Sequence, residues 1–202
     1  EKTLKETLTG VSRRVLHGPF NELFPCAIDP KARQLAAFRF SQAAALAQAY
    51  GAGKLVLHGG FNPQMYYPQW YVEQSILFWR EFLTKLPEGL TVCVENVLEP
   101  APDMLLDIVR GVEDSRLRLC LDVGHVNAYS KIPAKTWIEE SGEYLSHLHI
   151  HNNDGTWDTH SALYEGTLPI RELLEIAMGQ EGVTATLELP DCLPSVKWLL
   201  EE

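Results

Sequence analysis

Six short apolar runs in this 202-residue chain each stop on a residue able to hold a metal ion. They are Val15-Leu16-His17, Val56-Leu57-His58, Cys93-Val94-Glu95, Cys120-Leu121-Asp122, His147-Leu148-His149 and Thr186-Leu187-Glu188. Side chains alternate faces along a strand. The central leucine or valine of each run therefore points one way, and the terminal histidine, glutamate or aspartate points the other. Six strand ends of this kind facing inward would make a ring of ligands at one end of a barrel, as in a metalloenzyme. Buried charges need partners, and lysine and arginine are nearly absent from these strand ends. The counter-charge for Glu95, Asp122 and Glu188 must then come from outside the chain, and a divalent cation is the simplest source.

Two further pairs join the set. Asp122-Val123-Gly124-His125 puts a histidine on the turn just past the aspartate. Asp158-Thr159-His160 places two ligand types one residue apart, where an extended loop would project both the same way. Imidazole mixed with carboxylate suits Zn, Mn or Fe better than Mg or Ca, which favour all-oxygen shells. His147 shares the parity of His149 but sits one layer deeper, level with Val15, Val56, Cys93, Cys120 and Thr186, and is expected to be structural. His151 lies beyond the ligand layer, as a rim or substrate-binding residue or as the ligand of a shifted register. His149 is the preferred ligand.

The elements that must carry these residues alternate between strand-like and helix-like runs, which predicts a parallel sheet with crossover helices. Helices are expected over about Pro30–Tyr50, Trp70–Leu86, Pro100–Val112, Pro133–Tyr144, Ile170–Met178 and Ser195–Glu201. Between them fall strands Lys54–His58, Thr91–Glu95, Leu117–Asp122, Leu145–His151 and Thr184–Glu188, with a polar loop over Asn152–Pro169. The ligand positions recur at intervals that suit βα units of about 30 residues with insertions. Six such units are two short of a (β/α)₈ barrel. The first two strands are therefore expected to be missing from this chain, with Glu1–Thr9 as the tail of the second helix. No interior linker or low-complexity tract divides residues 1–202, which are read as one domain.

Composition is that of an ordinary globular chain, 46% hydrophobic and 22% charged. A formal net charge of −10 and a pI near 5.2 give no basic stripe for nucleic acid. No apolar stretch approaches a membrane span, and Glu1-Lys2-Thr3-Leu4-Lys5 lacks the apolar core of a secretory signal. The chain does not begin with methionine, so an upstream piece could have been removed. Cys26, Cys93, Cys120 and Cys192 show no CxxC spacing and are read as small reduced thiols, which points to the cytoplasm.

The chain resembles the xylose-isomerase-like TIM-barrel superfamily, which contains sugar-phosphate isomerases/epimerases, related sugar epimerases and endonuclease IV. The matching stretches are Leu57-His58-Gly59-Gly60, Val94-Glu95-Asn96, Leu121-Asp122-Val123-Gly124-His125, His149-Ile150-His151-Asn152-Asn153-Asp154, Asp158-Thr159-His160 with Glu165-Gly166, and Leu187-Glu188. The resemblance implies a (β/α) TIM-type barrel with one divalent ion held by Glu95, Asp122, His149 and Glu188. The endonuclease IV pattern adds five positions, which fall on His17, His58, His125, Asp158 and His160, and binds three zinc ions. Three departures stand out. The family's first two strands are absent, Tyr164 replaces the glycine often found before the Glu-Gly turn, and long basic DNA-gripping loops are not recognisable.

Two activities follow from the resemblance. The first is a metal-dependent isomerase or epimerase of a sugar or sugar phosphate working through an enediolate, with Glu95 and Glu188 moving the proton. His58, His125 and His160 would then bind substrate oxygens, and Tyr66, Tyr67, Trp70 and Tyr71 would either hood the sugar ring or pack a helix. The second is a multi-zinc phosphodiesterase acting on abasic-site DNA or a smaller phosphoester. A barrel kept only for binding is disfavoured by the intact ligand ring. The expected partner is a small sugar, with self-association a possible cover for the open barrel edges.

Overall fold

The computed structural model describes residues 2–201. Its six strands, β1 (Val15–His17), β2 (Lys54–His58), β3 (Thr91–Glu95), β4 (Leu117–Asp122), β5 (Leu145–Ile150) and β6 (Thr184–Leu187), form one parallel sheet in chain order. The sheet curls on itself as part of a TIM-type barrel. The His17 ring on β1 stacks against that of His149 on β5, with centroids 5.5 Å apart. At the other end of the interior, the Lys54 ammonium on β2 reaches across to donate to Gly182 O at 2.9 Å and Thr184 Oγ1 at 3.0 Å. β1 and β6 are the two edges of the sheet.

Helices cover the outside: α1 (Lys2–Thr7), α2 (Pro30–Ala49), α3 (Pro68–Leu83), α4 (Asp103–Val112), α5 (Val123–Tyr129), α6 (Ala134–Ser141), α7 (Ile170–Met178) and α8 (Leu193–Leu200). The outward-facing Leu55, Leu57, Val92, Val94, Leu119, Leu121, Leu148 and Ile150 are buried beneath them. That burial on both faces explains why the strands read as nearly continuous apolar runs. α2 opens on Asp29, whose carboxylate accepts from the Lys31 N–H at 2.7 Å, with Pro30 in the first turn. Its buried alanines, Ala36, Ala43, Ala44 and Ala47, bring it close to the sheet, and Phe40 stacks on Trp79 of α3. Among the described residues no helix is long and apolar enough to cross a membrane.

The strand register shows how the ligand positions meet. His58 lies beside Glu95, and Asp122 beside His149. At the other junctions the partner is offset: His17 lies beside Val56, Glu95 beside Cys120, and His149 beside Thr186. The ligand positions thus climb two residues at alternate junctions. Barrel strands tilt by about 35–45° to the axis, so a ring that is level about the axis must climb in register. The expectation of a single layer holds about the barrel axis, with this stagger as its physical basis.

Three local differences from the sequence expectation bear on the site. The turn after Asp122 is a helix, α5, and Asp122 itself caps it by accepting from the His125 N–H at 2.7 Å. The Asn152–Pro169 loop is folded back, not extended, at His160, whose φ is +49°. β5 ends at Ile150, which leaves His151 at the start of that loop.

Candidate metal centre

Glu95 is the hub. Its carboxylate is 1% exposed and meets His17 Nε2 at 3.0 Å, His149 Nδ1 at 3.1 Å and His58 Nε2 at 3.4 Å. His149 Nδ1 also meets Glu188 Oε1 at 3.1 Å and Asp122 Oδ2 at 4.0 Å. One ligand-type atom each from Glu95, Asp122, His149 and Glu188 falls within 4.8 Å of the others, and His17, Glu95 and His149 make a second such group. A third group holds His125, His151, Asp158 and His160. In it Asp158 Oδ2 lies 3.2 Å from both His125 Nε2 and His160 Nε2. The chain fold therefore brings seven of the nine positions singled out from the sequence to one cavity, with Asp122 and His149 in contact with them. That cavity is about 780 Å³ and is lined by His17, His58, Glu95, His125, Asp158, His160 and Glu188 with Phe20 and Leu189.

Charge follows from this crowding. Burial favours a neutral Glu95, but His149 and the hydrogen bonds from His149, His17 and His58 outweigh it and hold the carboxyl well below its usual range. Burial likewise opposes protonation of His125, yet Asp122 and the contact with Asp158 push it up to about 10. His17, His149 and His151 are raised against the same opposing burial by Glu95 and Asp122. Among the described residues no lysine or arginine pairs with Glu95, Asp122, Asp158 or Glu188; every ion-pair partner is a histidine.

His147 is different. Its two nitrogens meet Thr184 Oγ1 at 2.7 Å and Thr186 Oγ1 at 3.0 Å. Burial, with the nearby charges of His149 and Lys54, pushes it down to about 3. It is a neutral ring one register step below His149, beside Cys120.

None of Tyr66, Tyr67, Trp70 and Tyr71 lines this cavity. Tyr66 and Tyr71 are buried, and the Tyr71 hydroxyl donates to Glu99 at 2.9 Å. Trp70 donates to Cys26 O at 3.0 Å, and Tyr67 is 85% exposed. The reason is that α3 begins at Pro68, so Trp70 and Tyr71 fall on helix positions facing the loop after β1 and the core. Phe20 supplies the aromatic wall instead, with its ring stacked on His58 at 4.5 Å.

Two residues outside the predicted nine matter here. His151 Nε2 meets Asp122 Oδ1 at 3.1 Å and Asp158 Oδ1 at 3.4 Å, and its ring stacks on His160 at 3.9 Å. A Cβ on Gly124 would stand 1.9 Å from that ring, so only glycine leaves room for it. Asn96 pairs both ends of its amide with the Asp122 backbone, at 3.0 and 2.8 Å, and its own carbonyl accepts from His125 Nδ1 at 2.9 Å. Parity pointed to His151; nothing in the sequence pattern signals the Asn96 bridge.

The donor set fits a divalent metal by its outer contacts as well as its ligand atoms. His17, His125 and His160 each give Nδ1–H to a backbone carbonyl, of Gly18, Asn96 and Glu188 respectively, at 2.8–2.9 Å. In the neutral ring that selects the Nδ1–H tautomer, and it aims each Nε2 at a carboxylate, the arrangement metal-binding histidines adopt. His151 Nδ1 and Asp158 Oδ1 are buried with no hydrogen-bond partner.

The fold and this ring of donors define a class, and comparison with known proteins agrees. The model of the xylose isomerase-like TIM barrel matches residues 2–201, and the chain belongs to that family. It is 28% identical over 184 residues to the uncharacterized protein MJ1311 of Methanocaldococcus jannaschii, covering 84% of this chain and 62% of that protein. It is 36% identical over 104 residues to the fructoselysine 3-epimerase of Shigella flexneri, 50% of this chain and 37% of that enzyme. The chain thus spans less than two thirds of the length of these relatives. Among solved structures, a D-tagatose 3-epimerase-like protein superposes with a TM-score of 0.85 at 24% identity, over 98% of this chain and 80% of that one. The TTHB071 protein from Thermus thermophilus, soaked with ZnCl2, gives 0.78 at 25% identity, over 98% and 82%.

Proposed function

We propose that this chain carries the site of a divalent-metal-dependent sugar or sugar-phosphate isomerase/epimerase, with Glu95, Asp122, His149 and Glu188 as metal ligands. The observation that carries this reading is the pair of glutamates. Glu95 on β3 and Glu188 just past β6 both stand 3.1 Å from His149 Nδ1, and both line the cavity. A cation of the Zn, Mn or Fe type bound there would polarise a substrate carbonyl and offset the charge left by proton removal. Glu95, held ionised, accepts the proton from the carbon beside that carbonyl, and Glu188 returns one from the other side. His58, His125 and His160 bind substrate oxygens. The cavity volume falls in the range of small-molecule sites, and the fructoselysine 3-epimerase relationship supports a sugar substrate. Four unpaired cysteines support a reducing, cytoplasmic setting.

One observation favours a second reading, an endonuclease-IV-like phosphodiesterase with up to three zinc ions on DNA or a small phosphoester: the donors form three groups, two of which share Glu95 and His149. The acidic balance of −10 opposes a DNA substrate. Elemental analysis of the purified protein, run beside deuterium uptake from D₂O into a panel of ketoses, separates the two. About one ion per chain with exchange at the carbon next to the carbonyl supports the epimerase. About three ions with phosphodiester cleavage and no exchange overturns it.

A further inference from the structure

The loop that turns Asp158 and His160 into the cavity turns a tryptophan out of it. Trp157 is 66% exposed, in a residue type that is highly buried on average. The loop beneath it is firmly tied. Asp154 Oδ1 accepts from both the Thr156 N–H and the Thr156 hydroxyl, at 2.9 and 2.6 Å. Asn153 accepts from the Gly155 N–H at 3.0 Å and donates to Gly124 O at 2.8 Å. Trp157 is therefore presented on an anchored turn.

Its ring stands edge-to-face with Tyr129, with centroids 6.4 Å apart. The Tyr129 ring in turn lies 6.3 Å from that of His125, which lines the cavity. An aromatic track thus runs from the cavity wall to solvent, on the side where Asp158 enters. Neither Trp157 nor Tyr129 carries a charge at neutral pH, and the indole remains open to solvent.

We infer that Trp157 and Tyr129 form a second saccharide subsite, where the non-reacting ring of a disaccharide or glycoside stacks while its other end occupies the cavity. An aromatic face is apolar and electron-rich; the C–H face of a pyranose is apolar with weakly positive hydrogens, and the two surfaces complement each other. Rigid aromatic groups make such contacts at low conformational cost. The inference rests on the sugar reading of the site, and it narrows the substrate from a free monosaccharide to a longer sugar.

The test is equilibrium titration of the purified protein with glucose and galactose and with cellobiose, maltose and lactose. The Trp157 indole and site histidine resonances are followed by NMR, with the indole assigned from Trp157→Phe. At least one disaccharide should bind roughly tenfold more tightly than its component sugars and shift the indole signal. That preference should fall to about one in Trp157→Ala and survive in part in Trp157→Phe. Sugars that shift the histidines with no disaccharide preference would remove the subsite and leave the sugar reading standing. If no sugar moves any histidine, both fall together.

Discussion

His147 and His149 stand two residues apart on β5 and point into the same barrel, yet their chemistry is opposite. His149 meets carboxylates and is raised above its ordinary value, against burial, by Glu95. His147 meets two threonine hydroxyls and is pushed down to about 3. The same division runs around the interior: Val56, Cys93 and Cys120 form a small apolar cluster directly below His58, Glu95 and Asp122. Depth does not separate the layers, since Asp122 and His147 are both fully buried. What separates them is the supply of partners. The lower layer is satisfied within the protein, whereas the upper-layer carboxylates have histidines as their only ion-pair partners among the described residues. A bound cation would supply the missing charge.

The largest break in that contrast should come from Glu95→Gln. It removes the charge shared by His17, His58 and His149, so metal content should fall. Turnover should drop by about 10²–10⁴-fold, as when acid–base catalysis is lost. Elemental analysis with a proton-exchange assay checks this, and unchanged metal content with full turnover would refute both roles given to Glu95.

A smaller effect is expected at Asn96, which touches the proposed ligand Asp122 without being a ligand itself. In Asn96→Ala the Asp122 N–H and C=O lose their side-chain partners, while the contact of His125 Nδ1 with the backbone carbonyl of residue 96 is kept. Metal affinity should weaken by roughly 10–100-fold, as for outer-contact residues elsewhere. A competition titration with a chelating dye reads it; an unaltered dissociation constant would show that the bridge does not position Asp122.

Below the proposed ligands the cost should fall on stability instead. Cys120→Ser puts a hydroxyl into the apolar cluster and should cost about 1–3 kcal/mol, while the metal count stays as in the parent. Denaturant unfolding beside elemental analysis separates the two readouts, and lost metal with intact stability would contradict the layering.

The last expected effect is a slope. His147 has a folded value of about 3 against 6.5 unfolded, so the unfolded chain binds more protons between those limits. Its stabilising contribution is present above pH 6.5 and fades as pH falls toward 3, by up to about 1.4 kcal/mol per pH unit. His125 runs the other way in metal-free protein. Raised to about 10, it stabilises fully below pH 6.5, and that contribution is lost as pH rises through 10. In His147→Gln, which keeps a donor and an acceptor, the decline between pH 6.5 and 4.5 should flatten while the alkaline decline persists. Identical acid limbs in parent and variant would mean that His147 takes up its proton in the folded state.

Much of this was legible in the residues. Period-two alternation placed His17, His58, Glu95, Asp122, His149 and Glu188 on one face, because facing is a local property of a strand. Parity also put His147 beneath His149. The tyrosines and tryptophan after β2 were ambiguous for an equally physical reason. A helix-forming aromatic segment near a strand end looks alike whether it packs or lines a cavity, and the start of α3 at Pro68 decides for packing. The aromatic wall came from Phe20, an isolated residue in an irregular loop with no period to betray it.

By itself, then, the sequence determined which strand faces are polar, which residue types could hold a metal, and that the charges there lack lysine or arginine partners. These follow from composition and from the alternation of side chains along each strand. Tertiary structure alone decided the rest. Strand tilt brings positions offset in register to one level, and a folded loop with His160 in a left-handed conformation carries Asp158 against His125. The backbone carbonyl of Asn96 takes His125 Nδ1 and leaves Nε2 toward Asp158. Each depends on contacts between residues distant along the chain, and no local pattern encodes the distance between two side chains that meet only when the sheet curls.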